Sequence, residues 1–223
     1  VAADEDEEVT GSARDFLPAR RSLAALRAAA QGCRGCSLYR GATQAVFGAG
    51  PASARLILVG EQPGNDEDIA GAPFVGPAGR LLDRALEEAG IAREDAYVTN
   101  VVKHFKWERR GSRRLHKRPT AREVRACLPW LEQEIALLRP RVLVCLGATA
   151  AQALLGRGFL VTEQRGRLLP GDQVPHVLAT VHPSSILRQP TSERRRAEMA
   201  RFVADLAVAA AALRAEDRPR ARP

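Results

Sequence analysis

Four cysteines, four histidines and a carboxylate at the end of an apolar run are the residues of this 223-residue chain best suited to chemistry. Cys33-Arg34-Gly35-Cys36 is a C-x-x-C pair that directly follows a helical stretch ending at Gly32. In a chain without a secretory pattern that spacing reads as a redox or metal signal, not as a structural disulfide. Cys127 and Cys145 bring the thiols to four, enough for a complete zinc or iron–sulfur site. Cys145, however, lies inside Val142-Leu143-Val144-Cys145-Leu146, and a free cysteine in an apolar strand reads as core. His104 is then the best remaining fourth ligand. It follows a strand end, its loop leads back to Cys127, and imidazole can replace thiolate on cluster iron. Spacing alone weighs that role evenly against a surface histidine in a basic loop.

A second stretch with chemical character is V-G-E-Q-P-G-N-D-E-D-I-A-G-A-P-F-V-G-P-A-G, residues 59–79. It follows Leu56-Ile57-Leu58-Val59, a buried strand by composition, and precedes a helix expected over 80–89. Open α/β sheets place ligand sites at such strand–loop–helix junctions, beyond the carboxyl ends of the strands. Glu61 and Gln62 stand at the strand exit, and Phe74 lies between Pro73 and Gly76. The combination reads as a pocket with one flat wall and one charge. Out of context it would be a solvated acidic turn. The third stretch is K-H-F-K-W-E-R-R-G-S-R-R-L-H-K-R-P, residues 103–119, with eight Lys/Arg and one acid, Glu108. Neither a period of 2 nor of 3.6 organises it, so a loop is expected.

The elements that must position these residues alternate in type. Strands are expected at 56–59, 96–102, 142–146 and 177–181, and helices at 22–31, 80–89, 120–138, 149–155 and 192–213. Thr120 and Glu123 form a capping box for the third helix, which Pro129 should kink or restart. Residues 161–171 read as a loop or hairpin. The alternation predicts a three-layer αβα sandwich around a central, mostly parallel four-stranded sheet.

The formal charge is +8, yet Asp4, Glu5, Asp6, Glu7 and Glu8 are all acidic, so residues 9–223 carry +8 − (−5) = +13. A basic body with an acidic tail points to a polyanion, nucleic acid before membrane. Lysine occurs only at 103, 106 and 117, leaving 34 − 3 = 31 arginines, a bias that coding composition alone could produce. Residues 1–14 are expected to be a disordered acidic tail, 15–213 one domain, and 214–223 a disordered basic tail. With no run of 18 apolar residues and no signal-peptide pattern, a soluble, cytoplasmic monomer without membrane contact is expected.

Taken together, these motifs resemble the uracil-DNA glycosylase superfamily, and specifically its iron–sulfur branch. G-E-Q-P-G at 60–64 is similar to that branch's first motif, usually G-E-A-P-G. P-F-V-G-P-A-G at 73–79 resembles its continuation, T-N-V-V-K at 99–103 its second strand motif, and H-P-S at 182–184 its last. Cys33, Cys36 and Cys127 match three cluster ligands, and His104 occupies the place of the cysteine that normally follows N-V-V-K. The segment between His104 and Cys127 is longer than in ordinary members and ends R-R-L-H-K-R-P. It is similar to the X-type uracil-DNA glycosylases, whose hallmarks are a basic loop ending in a reactive His and a Gln in the first motif. His116 and Gln62 occupy those positions.

The resemblance implies excision of uracil from DNA, single-stranded and with double-stranded left open, by a protein carrying a 4Fe–4S cluster on Cys33, Cys36, His104 and Cys127. It implies that Phe74 stacks on the flipped base, that Asn100 reads its edge, that His182 hydrogen-bonds a uracil carbonyl, and that the chain around Gln62 adds a contact. His116 would attack the sugar C1′ with Glu61 orienting it and accepting its ring proton, leaving the protein covalently attached. Without the other motifs, Asn100 reads as a strand-end cap, Phe74 as core and His116 as a phosphate contact. Arg113, Arg114, Lys117 and Arg118 are expected on phosphates, Ser184 and Ser185 on the backbone near the lesion, and Ile186 or Leu187 in the vacated stack.

Overall fold

The computed structural model describes residues 11–217. In chain order the elements are α1 (Leu23–Ala30), β1 (Leu56–Gly60), α2 (Asn65–Ala70), α3 (Pro77–Glu88), β2 (Ala96–Asn100), β3 (Trp107–Arg110) and β4 (Arg113–His116). They continue with α4 (Ala121–Leu138), β5 (Val142–Leu146), α5 (Ala148–Leu155), α6 (Val161–Gln164), β6 (Leu168–Leu169), β7 (His176–Thr180), α7 (Pro183–Leu187) and α8 (Ser192–Asp217). β1, β2, β5 and β7 pair in parallel, in the order β2-β1-β5-β7, with β6 added antiparallel at the edge.

Alternation along each strand decides the layers. In β1, Leu56 and Leu58 face Leu81, Leu82, Phe202 and Leu206 on α3 and α8, whereas Ile57 and Val59 face Leu131, Ile135 and Ala150 on α4 and α5. Every residue of β1, β2 and β5 is buried, as a parallel sheet covered on both faces requires. A third cluster lies off the sheet and joins Leu26, Ala30, Cys33, Cys36, Val102, Cys127 and Trp130. No helix among the described residues is long and apolar enough to cross a membrane.

The three-layer architecture is as expected, but the sheet has five strands, not four. The extra one, β6, has two residues paired to Leu178 and Val177, too few to reveal a period in sequence. The basic segment expected as a loop is an antiparallel hairpin, β3–β4, turning at Gly111 with φ +61°. Charged side chains on both faces of an exposed ribbon erase the apolar alternation that marks a strand. The acidic part of the 59–79 loop contains a short helix, α2, whose Glu67 reaches back to the Gly64 N–H at 3.0 Å. Pro129 lies inside α4 without ending it, buried there beside Trp130 and Leu131. At the chain ends, residues 1–10 and 218–223, which hold most of both expected tails, lie outside the described residues. Ser12 caps a short 3₁₀ turn and Ala13 is buried, so packing begins before residue 15, and α8 continues to Asp217.

Candidate active site

The carboxyl ends of β1, β2, β5 and β7 bring the expected pocket residues to one edge of the sheet. β1 ends at Gly60, whose lack of a side chain is a requirement: a Cβ there would lie 2.3 Å from Asn100 Oδ1 and 2.8 Å from Phe74 Cζ. Phe74 adopts a left-handed backbone, φ +57°, uncommon outside glycine, and its carbonyl sits so close to Gly79 that any Cβ at 79 would collide with it. Strain of this kind concentrates where a side chain is held for function. The Phe74 ring stacks beside His182, with centroids 6.1 Å apart and planes inclined by 28°. Asn100 ends β2, is 2% exposed, and has its backbone carbonyl capped by Lys103 Nζ at 2.8 Å.

His182 is the N-cap of α7, and that fixes its tautomer. Nδ1 accepts from the Ser184 N–H at 3.2 Å, so the ring proton belongs on Nε2, which is left as the donor. Burial first, then Arg188 and His116, lowers its pKa to about 4, which keeps the ring neutral. Ser184 Oγ lies 2.8 Å from the same Nδ1, and Ser185 Oγ donates to the His182 carbonyl at 2.8 Å. The two hydroxyls expected on a DNA backbone are thus turned toward His182.

Glu61, one residue past β1, faces the hairpin. Its Oε1 lies 3.5 Å from His116 Nε2, while Oε2 accepts a short hydrogen bond from the Thr149 hydroxyl and stands 3.9 Å from Arg118 Nε. Gln62 does more than line the pocket. It accepts from the Lys106 N–H at 3.0 Å, donates to the Lys106 and Lys117 carbonyls, and places its amide nitrogen 3.0 Å from His116 Nε2. Its two amide hydrogens are therefore shared among three acceptor positions. Phe105 packs on the other side of the His116 ring at 6.0 Å. Burial lowers the His116 pKa, with Glu61 pulling it up and Arg188 pushing it down, so the half-exposed imidazole is neutral at pH 7. With Gln62 donating to Nε2, the neutral ring carries its proton on Nδ1 and presents the Nε2 lone pair, and the Glu61 carboxylate beside it balances the charge the ring gains on attack.

Of the four cations expected on phosphates, Arg113, Lys117 and Arg118 are exposed. Lys117 pairs with Glu108 across the hairpin at 3.0 Å, and Arg118 leans toward Thr149 at 3.1 Å. Arg114 is different: it points inward, onto Asp68, Asn65 and Thr43. A guanidinium already paired with a fully buried carboxylate is not free to hold phosphate. Ile186 is likewise fully buried among α3 and α8 residues and cannot fill a base stack, while Leu187 is partly buried against the same cluster. Thr149 joins the site with almost no warning from the sequence. Its only signal there is its place in G-A-T, directly after the apolar strand β5.

The proposed cluster ligands divide as their burial suggests. Cys33, Cys36 and Cys127 share one apolar lobe with Trp130 and Val102, whereas Cys145 packs in the central core among β1 and α4 residues. Trp130 Nε1 donates to Cys33 Sγ at 3.3 Å, and the Lys103 N–H to Cys127 Sγ at 3.2 Å, contacts of the kind that tune cluster sulfurs. Burial raises Cys36 to about 11 and Cys127 to about 12, a cost of ionisation that a bound cationic centre reverses. His104 is 4% exposed, is kept neutral by burial, and takes no side-chain hydrogen bond among the described residues. Among the described residues no three His, Cys, Asp or Glu side chains converge tightly enough for a single ion. Cluster ligands, each holding its own iron, need no such convergence. The three thiols suit an iron–sulfur cluster, and His104 directly follows the residue whose N–H reaches Cys127 Sγ.

A parallel αβα sheet with Glu, Asn, Phe and His gathered at its carboxyl edge defines an α/β enzyme architecture, and comparison with known proteins gives it a family. This chain belongs to the uracil-DNA glycosylase superfamily, whose description, "Uracil DNA glycosylase superfamily", matches residues 47–207. It is 40% identical over 165 residues to the Type-4 uracil-DNA glycosylase of Thermotoga maritima, covering 74% of this chain and 82% of that one. The Type-4 uracil-DNA glycosylase of Archaeoglobus fulgidus is 38% identical over 166 residues, 71% of this chain and 79% of its own. The Type-5 uracil-DNA glycosylase of Thermus thermophilus is 32% identical over 159 residues, 62% of this chain and 68% of its own.

Proposed function

We propose that this protein excises uracil from DNA and then attaches itself to the resulting sugar through His116, as an X-type uracil-DNA glycosylase. The observation that carries the second half is the placement of His116 Nε2 against Glu61 Oε1, 3.5 Å away, on a hairpin fastened at both feet by Gln62.

Glycosidic cleavage leaves positive charge on the sugar and negative charge on the departing base, so donors aimed at the base carbonyls lower the barrier most. A flipped uracil would lie against Phe74, with the Asn100 carboxamide on its edge and the His182 Nε2–H toward a carbonyl oxygen. As the C1′–N1 bond breaks, its electron pair leaves with uracil, which is released as the anion and protonated by solvent. His116 Nε2, whose ring carries its proton on Nδ1, then forms a bond to C1′ with its lone pair, and the imidazolium so formed, held beside the Glu61 carboxylate, loses the Nδ1 proton to solvent. The product is a neutral N-glycosyl imidazole, and the protein stops after one turnover. Imidazole wins over water because it is already in place. Thr149 and Arg118 hold the other oxygen of Glu61, leaving Oε1 for the histidine.

Cys33, Cys36, Cys127 and His104 would hold the iron–sulfur cluster. A cluster held there would act mechanically, tying down the chain at His104, just ahead of the hairpin, and at Cys127 beyond it. Arg113, Lys117 and Arg118 supply cations for the flanking phosphates.

Intact-mass analysis after incubation with a uracil-containing single-stranded oligonucleotide tests the proposal. The protein should gain the mass of the oligonucleotide less uracil, in a complex that survives SDS and heat, and His116→Ser should lose that mass while still freeing uracil. An unshifted mass with the intact chain, despite uracil release, overturns the cross-link. The competing reading is a multiple-turnover glycosylase with water beside Glu61 as the nucleophile, favoured by the 40% identity to a Type-4 relative. Uracil release well above one molecule per protein would establish it.

A further inference from the structure

Arg114 turns its charge inward on a hairpin whose other arginines, Arg109, Arg110 and Arg113, face solvent. Its Nη1 lies 2.6 Å from Asp68 Oδ2 and 3.3 Å from Thr43 Oγ1, and its Nε donates to Asn65 Oδ1 at 2.9 Å. The guanidinium also covers the Phe105 and Trp107 rings, 5.5 and 5.4 Å from their centroids. Asp68 is fully buried, and besides Arg114 it accepts from the Thr43 N–H at 2.9 Å and the Thr43 hydroxyl at 2.6 Å. Trp107 Nε1 donates to the Gly41 carbonyl at 2.7 Å. Asp68, Asn65, Thr43 and Gly41 all belong to the main body, whereas Arg114 and Trp107 belong to the two strands of the hairpin. Two residues along β4 from Arg114 is His116, whose ring rests on Phe105.

We infer that Asp68 and Arg114 form a latch that positions His116, so that this pair, and not the histidine alone, decides whether imidazole or water captures the sugar. The inference rests on the proposed cross-linking reaction. A two-stranded ribbon is marginal by itself. Gln62 fastens its base, and the Arg114 guanidinium, seated between a buried carboxylate and two aromatic faces, fastens its middle. Arginine suits the post because its planar fork can bond in its own plane to Asp68, Asn65 and Thr43 while its face stacks on the rings. Lysine could do only one of these. Asp68 and Arg114 touch neither base nor sugar in this arrangement. They are positioning residues, and their effect should appear in the partition of the reaction more than in its rate.

Arg114→Gln and Asp68→Asn separate positioning from other roles. Arg114→Gln is the safer variant, since Asp68 keeps both bonds from Thr43. Under single-turnover conditions uracil release should change by no more than about threefold, while the ratio of cross-linked to free abasic product falls by roughly tenfold or more. Arg114→Lys should recover little of that ratio. The double variant should be no worse than the poorer single one, because both changes open the same latch. Amide hydrogen exchange over residues 107–116 should quicken in Arg114→Gln with the α3 and α4 amides unchanged. A partition ratio equal to that of the intact protein would overturn the latch and leave the cross-link standing. So would a loss confined to DNA affinity with an altered salt slope, the mark of a phosphate contact. Should the intact protein form no cross-link at all, the reaction proposed above is what fails, and unaltered hairpin exchange in Arg114→Gln would then overturn the latch independently.

Discussion

The side-chain nitrogen of Gln62 stands 3.0 Å from His116 Nε2, and the same nitrogen donates to the carbonyls of Lys106 and Lys117 on the opposite feet of the hairpin. One amide at the exit of β1 therefore sets the height of the whole β3–β4 ribbon above the pocket. Gln62→Ala would leave the Lys106 N–H and two carbonyls without this partner, each worth about 1 kcal/mol when water replaces it poorly. Cross-link yield should fall roughly tenfold while uracil release falls less. Gel shift under denaturing conditions and a uracil-release assay on the same samples measure both.

Gly60 is the floor under Asn100 and Phe74. In Gly60→Ala the new methyl would sit 2.3 Å from Asn100 Oδ1 and displace the carboxamide, the ring, or both. Displacements of about 1 Å at reacting groups cost on the order of a hundredfold. We expect uracil release, as kcat/KM, to fall by about that factor with the thermal midpoint lowered far less.

Both site histidines are neutral at pH 7, His182 because burial lowers it to about 4 and His116 because burial outweighs the pull of Glu61. Cross-linking should therefore be level as pH falls from 8 through the ordinary histidine value near 6.5 and decline only below it. The stability effect has a definite sign. Between about pH 6.5 and about 4 the unfolded chain holds a proton on residue 182 that the folded chain does not, so stability decreases as pH falls through that window. Denaturant midpoints at pH 7 and 5 read the second effect. A cross-linking midpoint at or above 6.5 would contradict the first.

The cysteines should separate by iron content. Cys127→Ala should lower bound iron per chain and shift the visible absorption of the purified protein, whereas Cys145→Ala should change neither. Cys145 is fully buried in the central core, so its substitution should register as lost stability on the order of 1 kcal/mol. Equal iron in the two variants would remove Cys127 from the ligand set.

Much of this site is legible in the amino-acid sequence. Glu61, Asn100, Phe74 and His182 stand at strand or loop ends whose apolar runs are unmistakable, because parallel strands buried on both faces leave continuous hydrophobic stretches. What resists reading is the hairpin. W-E-R-R-G-S-R-R-L-H has no apolar alternation, since its strands are held by backbone pairing, stacking on Arg114 and the Gln62 amide, all of them dependent on tertiary contact. Arg114 therefore looks like its neighbour Arg113, although one turns inward and the other out. The same holds for Asp68, whose burial depends on a partner 46 positions away. Thr149, too, acquires its role only when β5 is laid beside β1.

Lys103 presents two ends to two different regions. Its backbone N–H points at the sulfur of Cys127, and its ammonium, wholly enclosed, bonds Glu134, Thr99 and the carbonyl of Asn100. Glu134 in turn gathers Tyr97, Thr99 and the Gly48 N–H. Any substitution at position 100 thus inherits a tether to the thiol lobe. Moving the end of β2 by an ångström means dragging an encased charge pair along with it, and substitutions there must be chosen with position 103 in hand.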